Sequence, residues 1–226
     1  MKMEYEKNGY YLVEQLFDEN EVRLLVDDLS LFEGELNNYG VRNLMNRVPS
    51  VRELANSPQL MSIAKEVLGE YAKPVRSVLF DKVPGANWNV AWHQDTSIAL
   101  KERHEVAGFG PWTLKQGIVH VEPPQNYLAG MLTLRIHLDV ANIETGVLRV
   151  VPGTHRGGRV RSKKLMQIVD SSEIVECVAF PGDVLLMSPL LFHSSRKAVV
   201  PHHRRVIHIE YSKMELPLPL EWYEYA

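Results

Sequence analysis

The chain has 226 residues, 45% hydrophobic and 23% charged, with a formal net charge of −3 at pH 7. This composition is typical of a globular protein, and the lack of a basic excess argues against a nucleic-acid partner. No apolar stretch approaches the roughly 20 residues of a membrane span, and we expect no secretory signal, no membrane association and a cytoplasmic location. Cys177 is the single cysteine, so no internal disulfide is expected.

Residues 1–74 are predicted to be mostly helical. Asp18 and Glu21 have the spacing of a capping box ahead of an apolar face. A second helix is predicted to begin at Ser57 and Pro58 and to end before Gly69. We expect these helices to pack outside a β-structure.

From about residue 75 the hydrophobic period becomes two. Apolar and polar residues alternate from Leu132 to Val140, as in a strand with one buried face. Further strands are predicted at 75–83, 147–151, 174–179, 183–187 and 204–211. These patterns favour one domain over residues 1–226, with a mainly β jelly-roll core at 75–215 and flanking helices. The apolar tail 216–226 is predicted to pack on this domain or on another subunit.

Residues 97–125 are rich in glycine and proline, which predicts a long loop acting as a lid or substrate-binding loop. Phe109 and Trp112 in this segment are candidate substrate contacts. The segment also carries side chains able to pair with an organic anion, namely Arg103, His104, Lys115 and His120.

The run 92–95, Trp-His-Gln-Asp, is a candidate metal site. In an extended chain His93 and Asp95 point to one face, whereas Gln94 points away. Joined by a distant histidine, such a pair forms a facial triad that leaves three positions open on iron(II). His137 and Asp139 have the same spacing, but they lie within the alternating strand. A hydrogen-bonded polar face accounts for them better, with His137 kept as a candidate substrate contact.

The third ligand is sought at His193, which follows bulky apolar residues and precedes small hydroxyl residues. The alternative is a buried histidine bonded to a carbonyl group. Ser195 would share its face. Arg204 and Arg205 open the last strand, and a buried guanidinium there would suit a dicarboxylate. Strand parity alone does not choose between the two arginines.

Taken in order, these segments resemble the phytanoyl-CoA dioxygenase family of iron(II)/2-oxoglutarate oxygenases. The matching pieces are 9–13, 92–95, 152–155, 181–183, and His193-x-Ser195 with an arginine eleven residues after His193. The resemblance implies a double-stranded β-helix with metal ligands His93, Asp95 and His193. It also implies iron(II) as cofactor, with 2-oxoglutarate and O₂ as cosubstrates.

The resemblance further implies that Arg204, rather than Arg205, binds the far carboxylate of 2-oxoglutarate with help from Ser195. Lys82 and Arg135 are additional candidates for contact with the cosubstrate, and a structural ion pair is the alternative for each. The implied reaction is hydroxylation of an unactivated C–H bond of a small metabolite, with release of succinate and CO₂. Asp95 favours hydroxylation, because a halogenating relative carries a small residue there.

Two other functions use the same residues. A cupin-like metalloprotein could hold zinc for hydrolysis, since imidazole and carboxylate ligands do not by themselves select iron. A non-catalytic descendant could use the barrel only for binding. All three readings predict a small-molecule partner.

Overall fold

Strands dominate the structure and helices flank them. The computed structural model describes residues 1–35, 40–200 and 202–224. The strands are β1 (Tyr10–Val13), β2 (Val41–Arg42), β3 (Lys73–Phe80), β4 (Val90–His93), β5 (Ile98–Leu100), β6 (Trp112–Lys115), β7 (Ile118–Val121), β8 (Met131–His137), β9 (Leu148–Val151), β10 (Val175–Glu176), β11 (Val184–Met187), β12 (Phe192–Ser195) and β13 (Val206–Ser212). The helices are α1 (Lys2–Asn8), α2 (Glu19–Ser30), α3 (Leu44–Arg47), α4 (Pro49–Ala55), α5 (Pro58–Leu68), α6 (Gln125–Ala129) and α7 (Ser162–Asp170).

The larger sheet has six antiparallel strands in the order β1-β11-β8-β13-β3-β2. On β8, Leu132, Leu134 and Ile136 pack into a core shared with α2, α4 and α5. Successive side chains of a strand point to opposite faces, so Arg135 and His137 face away from the helices. The predicted helical layer therefore covers one face of this sheet and leaves the polar face to the interior of the fold.

The second sheet has four strands in the order β10-β9-β12-β4. Leu148 and Leu191 from this side pack against Leu185 and Met187 of β11, which joins the two sheets face to face. This arrangement is the jelly roll, or double-stranded β-helix, that the sequence predicts. Cys177 is buried in the same cluster as a free thiol.

Both predicted helix starts are confirmed. The Asp18 carboxylate accepts from the backbone N–H groups of Asn20 and Glu21, and the Glu21 carboxylate accepts from the backbone N–H of Asp18. The Ser57 hydroxyl caps α5, and Gly69 follows its last residue. These local signals fix where the helices begin, and the apolar residues that follow fix which side is buried.

Several strand boundaries differ from the prediction, and two of the differences are the most informative. The strand expected at 75–83 ends at Phe80, because Asp81 and Lys82 turn their side chains to buried polar partners. The strand expected at 174–179 shrinks to β10, beyond which Val178 is exposed at the edge of the smaller sheet. The alternation of apolar and polar residues does not show where a strand stops pairing with its neighbour.

Residues 97–125 were expected to form a long irregular loop, and this expectation is wrong. This segment contains a third sheet of three strands, in the order β5-β7-β6. The turn between β6 and β7 uses Gln116 and Gly117, both with positive φ. Such a two-residue turn closes a hairpin, which the glycine and proline content of the segment obscured.

The tail packs on its own chain. Trp222 is buried and forms a β-bridge with Leu100, and the Glu224 carboxylate accepts from the backbone N–H and hydroxyl groups of Ser77. Residues 225–226 of the predicted tail lie outside the described residues. Among the helices that the structure describes, none combines the length and apolarity needed to cross a membrane.

Candidate metal centre

His93 and His193 are brought together by strand pairing. They are direct partners across the antiparallel pair β4 and β12, and their ring centroids are 4.1 Å apart. The register of this pair shifts between His193 and Ser195, an irregularity of the kind that re-aims side chains beside functional sites. Two residues separated by 100 positions in the chain thus come to lie side by side.

Asp95 completes the group. Its Oδ1 lies 3.7 Å from Nε2 of His93, and its Oδ2 lies 3.5 Å from Nε2 of His193. One ligand atom from each of the three residues lies within 4.8 Å of the others. Two imidazoles and one carboxylate on one side of a shared point are the donor set of a facial triad.

Both histidines are oriented through their other ring nitrogen. Nδ1 of His93 lies 2.8 Å from the carbonyl oxygen of Ala91, and Nδ1 of His193 lies 2.8 Å from that of Leu191. Because a carbonyl oxygen only accepts hydrogen bonds, Nδ1 carries the proton in each ring. Nε2 is left with its lone pair directed at the shared point, as metal coordination requires.

Gln94 points away from the ligands, as expected, and clamps the surrounding backbone. Its Nε2 donates to the carbonyl oxygens of Gly158 at 2.8 Å and Leu190 at 2.7 Å. Its Oε1 accepts from the backbone N–H of Val160 at 2.8 Å. The buried amide therefore fixes the segment that carries two ligands against the chain that leads into β12.

The charges of the ligands are matched to cation binding. Burial and the neighbouring His93 lower the pKa of His193 to about 3, so its ring is neutral at pH 7. Burial opposes ionisation of Asp95, but the nearby His193 and His93 outweigh it and hold the pKa of the carboxyl well below its usual range. A neutral imidazole and an ionised carboxylate are the forms that ligate a metal.

The ligands line a cavity of about 300 Å³ between the two main sheets. Its described walls carry an excess of basic side chains: Arg42, Arg76, Lys82, Arg135 and Arg204. Asp95 is the acidic side chain among these lining residues, and buried Glu210 pairs with Arg76 behind the wall at 2.5 Å. Such a surface attracts anions.

Arg204 and Arg205 have different partners. Arg205 donates from Nε and Nη2 to the two carboxylate oxygens of Asp139, at 2.8 and 2.9 Å. Arg204 is buried and lines the cavity, and its Nε has no hydrogen-bond partner. Burial, with the nearby Arg135, lowers the pKa of Arg204 to about 9, which still leaves it charged at neutral pH. Of the two arginines, Arg204 thus lines the cavity and Arg205 pairs with Asp139.

Lys82 and Ser195 form the neighbouring part of the cavity wall. The Lys82 Nζ donates to the Ser195 hydroxyl at 2.7 Å and to the Arg196 carbonyl oxygen. Burial, then the charges of Arg204 and Arg135, lower the pKa of Lys82 to about 7. Arg135 reaches Nδ1 of His208 at 3.1 Å, and its own Nε has no hydrogen-bond partner. Within the described part of the chain, neither Lys82 nor Arg135 makes the structural ion pair that was the alternative.

A family model described as phytanoyl-CoA dioxygenase matches residues 5–206. The chain belongs to this family. Enzymes of the family use iron(II), 2-oxoglutarate and O₂, and the chain is accordingly an enzyme of the iron/2-oxoglutarate oxygenase superfamily. The ordered motifs of the sequence analysis are confirmed as a family signature.

Individual relatives of this family member are distant. The dioxygenase lolE1 of Epichloe uncinata is 25% identical over 204 residues, covering 84% of this chain and 72% of the relative. EctD from S. alaskensis, solved with 2-oxoglutarate and 5-hydroxyectoine, is 20% identical with a TM-score of 0.72, covering 93% of this chain and 74% of EctD. SnoK, a carbocyclase from nogalamycin biosynthesis, is 17% identical with a TM-score of 0.71, and the match covers 93% of this chain and 81% of SnoK. At these identities the likeness to the solved structures establishes the fold.

The three predicted substrate contacts lie elsewhere. Phe109 is buried against Tyr127, and Trp112 packs on the same cluster with the Arg103 guanidinium 5.7 Å from its ring. Trp112 begins the hairpin formed by β6 and β7, and Phe109 lies just before it. His137 is buried, is not among the residues lining the metal cavity, and has no hydrogen-bond partner at either ring nitrogen. Both roles considered for His137, a polar-face residue and a substrate contact, remain predictions.

Sequence reasoning missed several cavity residues. Arg76 and His208 lie on β3 and β13, and Trp88 precedes β4. The signal available for Arg76 was a charged residue inside an otherwise apolar strand. Arg42 lies on β2, a strand of two residues, which is too short to produce a period. His202 is exposed, and His203 bonds to the buried carboxylate of Asp81 at 2.7 Å.

Proposed function

We propose that the protein hydroxylates an unactivated C–H bond of a small organic metabolite, with conversion of 2-oxoglutarate to succinate and CO₂. One oxygen atom of O₂ enters succinate and the other enters the product, so the reaction balances without a further reductant. The observation that carries this proposal is the convergence of three ligand atoms within 4.8 Å beside a cavity with a basic wall.

In this proposal His93, Asp95 and His193 hold the iron through the two Nε2 atoms and the carboxylate. Iron(II), when bound, supplies O₂ activation driven by decarboxylation of the cosubstrate. The protein supplies the orientation of the ligands, through the Ala91 and Leu191 carbonyls and the Gln94 clamp. Outer contacts of this kind commonly contribute 10–100-fold in metal affinity.

Arg204 is proposed to bind the far carboxylate of 2-oxoglutarate. Its guanidinium is buried, charged and unpartnered at Nε, and a carboxylate is the partner that matches a planar fork of donors. Lys82, Ser195 and Arg135 supply further donors on the same wall. A dianion would compensate the charge that these side chains bring into the interior.

The outcome of oxidation is the finer part of the proposal. Asp95 occupies the carboxylate position of the triad, which favours hydroxylation over halogenation. SnoK is named a carbocyclase, and ring closure is the second outcome that this likeness raises. In ring closure no oxygen atom would be retained in the product.

Labelled oxygen tests the proposal. The iron-loaded protein is incubated with 2-oxoglutarate, ¹⁸O₂ and a panel of small metabolites, and succinate and products are analysed by mass spectrometry. We expect succinate formation that requires both iron(II) and O₂, with ¹⁸O in succinate and in the product. A product without ¹⁸O would reject hydroxylation while keeping the oxygenase chemistry. Turnover with zinc in the absence of O₂ would reject the proposal entirely.

A further inference from the structure

Arg42 faces the cavity from the edge of the larger sheet. It pairs in register with Val78 of β3, which pairs with His208 of β13, which pairs with Arg135 of β8. Directly paired residues of adjacent antiparallel strands project from the same face, so Arg42 ends a row that crosses the interior. Its Nε and Nη1 are buried and have no hydrogen-bond partner.

Among the described residues no carboxylate forms an ion pair with Arg42, although Glu210 and Asp95 act on its charge from a greater distance. Arg76 beside it is neutralised by Glu210 at 2.5 Å. Burial, and then the charge of Arg76, lower the pKa of Arg42 to about 10, so it stays protonated at neutral pH. Lys115 lies on the hairpin of β6 and β7, and its Nζ donates to the Ser97 hydroxyl at 2.8 Å. Its charge acts on Arg42 and Arg76, so it adds to the positive charge near them.

Arg42 also lies where two cavities meet. It lines the metal cavity, together with the three ligands, and it lines an outer cavity of about 600 Å³ with Gln116 and Tyr223. The charge of Asp95 acts on the Arg42 guanidinium, which places the arginine within electrostatic reach of the metal centre. The lining of the metal cavity also includes the aromatic side chains Phe80 and Trp88.

Arg204 and Arg42 divide the two tasks that an anion-binding cavity of this kind would have. Arg204 opens β13 beside Lys82 and Ser195, whereas Arg42 is on the edge strand β2 towards the outer cavity. One dicarboxylate accounts for the first group, and Arg42 is left with no anion.

We propose that the oxidised substrate is a small organic carboxylate, and that Arg42 binds its carboxylate group at the outer end of the metal cavity. This inference rests on the proposed oxygenase function and adds the substrate class. A single guanidinium with no ion-pair partner among the described residues matches a monoanion, and the aromatic side chains suit the hydrocarbon part of such an acid. Holding the charged end at Arg42 directs the remainder of the molecule towards the metal.

Binding of matched acids and amides tests this assignment. The probes are phenylacetate, 3-phenylpropanoate, butyrate and hexanoate, each beside its primary amide. The protein is loaded with Mn(II) in place of iron and saturated with 2-oxoglutarate, so that Arg204 is occupied. Dissociation constants are measured by calorimetry, and proton relaxation by Mn(II) reports whether a probe lies near the metal. We expect at least one acid to bind at least about tenfold more tightly than its amide and to be relaxed by the metal.

Three variants control the experiment. Arg42→Gln should remove the preference for acids by about tenfold or more, and Arg42→Lys, which keeps the charge, should restore part of it. Arg23→Gln changes an exposed arginine of α2, hydrogen-bonded to Asn20 on the surface, and should leave the preference intact. Thermal unfolding of each 2-oxoglutarate complex verifies that the variants fold.

The outcomes separate this inference from the function on which it rests. Wild-type protein that binds iron(II) and 2-oxoglutarate, but binds no acid better than its amide, would overturn the role of Arg42 alone. An acid preference that survives in Arg42→Gln would do the same. Wild-type protein that fails to bind 2-oxoglutarate with iron(II) would refute the proposed function, and this inference with it.

Discussion

His93 and His193 face each other across the β4–β12 pair, each with its Nδ1 bonded to a carbonyl oxygen two residues earlier in the chain. The same local device is thus used twice, and it presents two Nε2 atoms to one point. The backbone of the sheet, rather than a set of outer side chains, therefore determines the tautomer and direction of both imidazoles.

Gln94 is expected to position the centre without touching the metal. Gln94→Ala removes hydrogen bonds to Gly158, Leu190 and Val160, leaving buried backbone groups unpaired. We expect a loss of about 2–4 kcal/mol in the free energy of unfolding and about tenfold weaker iron binding. Chemical denaturation and metal titration measure the two effects. Gln167→Ala, at an exposed position of α7, is the matched control, and an equal effect there would contradict the positioning role.

Arg204 and Arg205 provide a matched pair of substitutions. Arg204→Gln should weaken 2-oxoglutarate binding by about 100-fold, the loss expected when one partner of a buried charge pair is removed. Arg205→Gln breaks the bidentate contact with Asp139 and should lower the free energy of unfolding by about 2 kcal/mol while leaving 2-oxoglutarate affinity unchanged. Dissociation constants and denaturation curves for both variants are compared. The opposite pattern would assign the cosubstrate to Arg205.

Lys82 should make 2-oxoglutarate binding depend on pH. Burial, Arg204 and Arg135 lower the pKa of Lys82 to about 7, so the free protein carries the charged form below pH 7 and loses it above. We expect 2-oxoglutarate affinity to fall as the pH rises from 6 to 9. A bound dianion stabilises the Lys82 ammonium and raises its pKa in the complex. The fall in 2-oxoglutarate affinity is therefore centred above pH 7.

Lys82→Met should remove this pH dependence and bind 2-oxoglutarate at pH 6 more weakly than wild type. The dissociation constant is measured at each pH with iron(II) present and O₂ absent. A wild-type profile that is flat, or a slope retained in Lys82→Met, would exclude Lys82 as a cosubstrate contact.

Glu224, in the C-terminal tail, is expected to stabilise the folded state. Its buried carboxylate accepts from the backbone N–H groups of Ser77 at 2.9 Å and Met45 at 3.2 Å. Glu224→Ala leaves these donors unpaired and should lower the free energy of unfolding by about 2–3 kcal/mol. Burial raises the pKa of Glu224, so its stabilising effect is greatest in acid and is lost as the pH rises through the folded-state value.

Glu224→Gln separates charge from hydrogen bonding. The amide keeps an acceptor but does not titrate, so the stability of wild type relative to this variant should decline with rising pH. Urea denaturation across the acidic to neutral range measures the difference. A difference that is constant with pH would show that Glu224 does not titrate between the two states.

The metal ligands could be predicted from the sequence because their signals are local or belong to the family. The spacing of His93 and Asp95 places them on one face of an extended chain, and the structure confirms that Gln94 turns the other way. His193 required the family pattern, since nothing in its own neighbourhood shows that β12 pairs with β4. Strand pairing is a long-range property that periodicity does not contain.

Other parts of the cavity escaped prediction for physical reasons. The positive-φ turn at Gln116 and Gly117 folds part of the presumed loop into a hairpin, and Phe109 and Trp112 pack in a cluster that does not line the metal cavity. Arg42 lies on a strand of two residues, and its importance arises from what its neighbours leave unpaired. Charge compensation can be judged only when the partners are known in space.

The central claim, that His93, Asp95 and His193 hold iron(II) with room for 2-oxoglutarate, is tested most directly by an anaerobic titration. Iron(II) and then 2-oxoglutarate are added to wild-type protein and to His193→Ala, and the visible metal-to-ligand charge-transfer absorption of chelated 2-oxoglutarate is recorded. We predict that the band appears with wild type, saturates at one equivalent per chain and is lost in His193→Ala. A wild-type protein without the band, or a variant that retains it at the same iron concentration, would contradict the account.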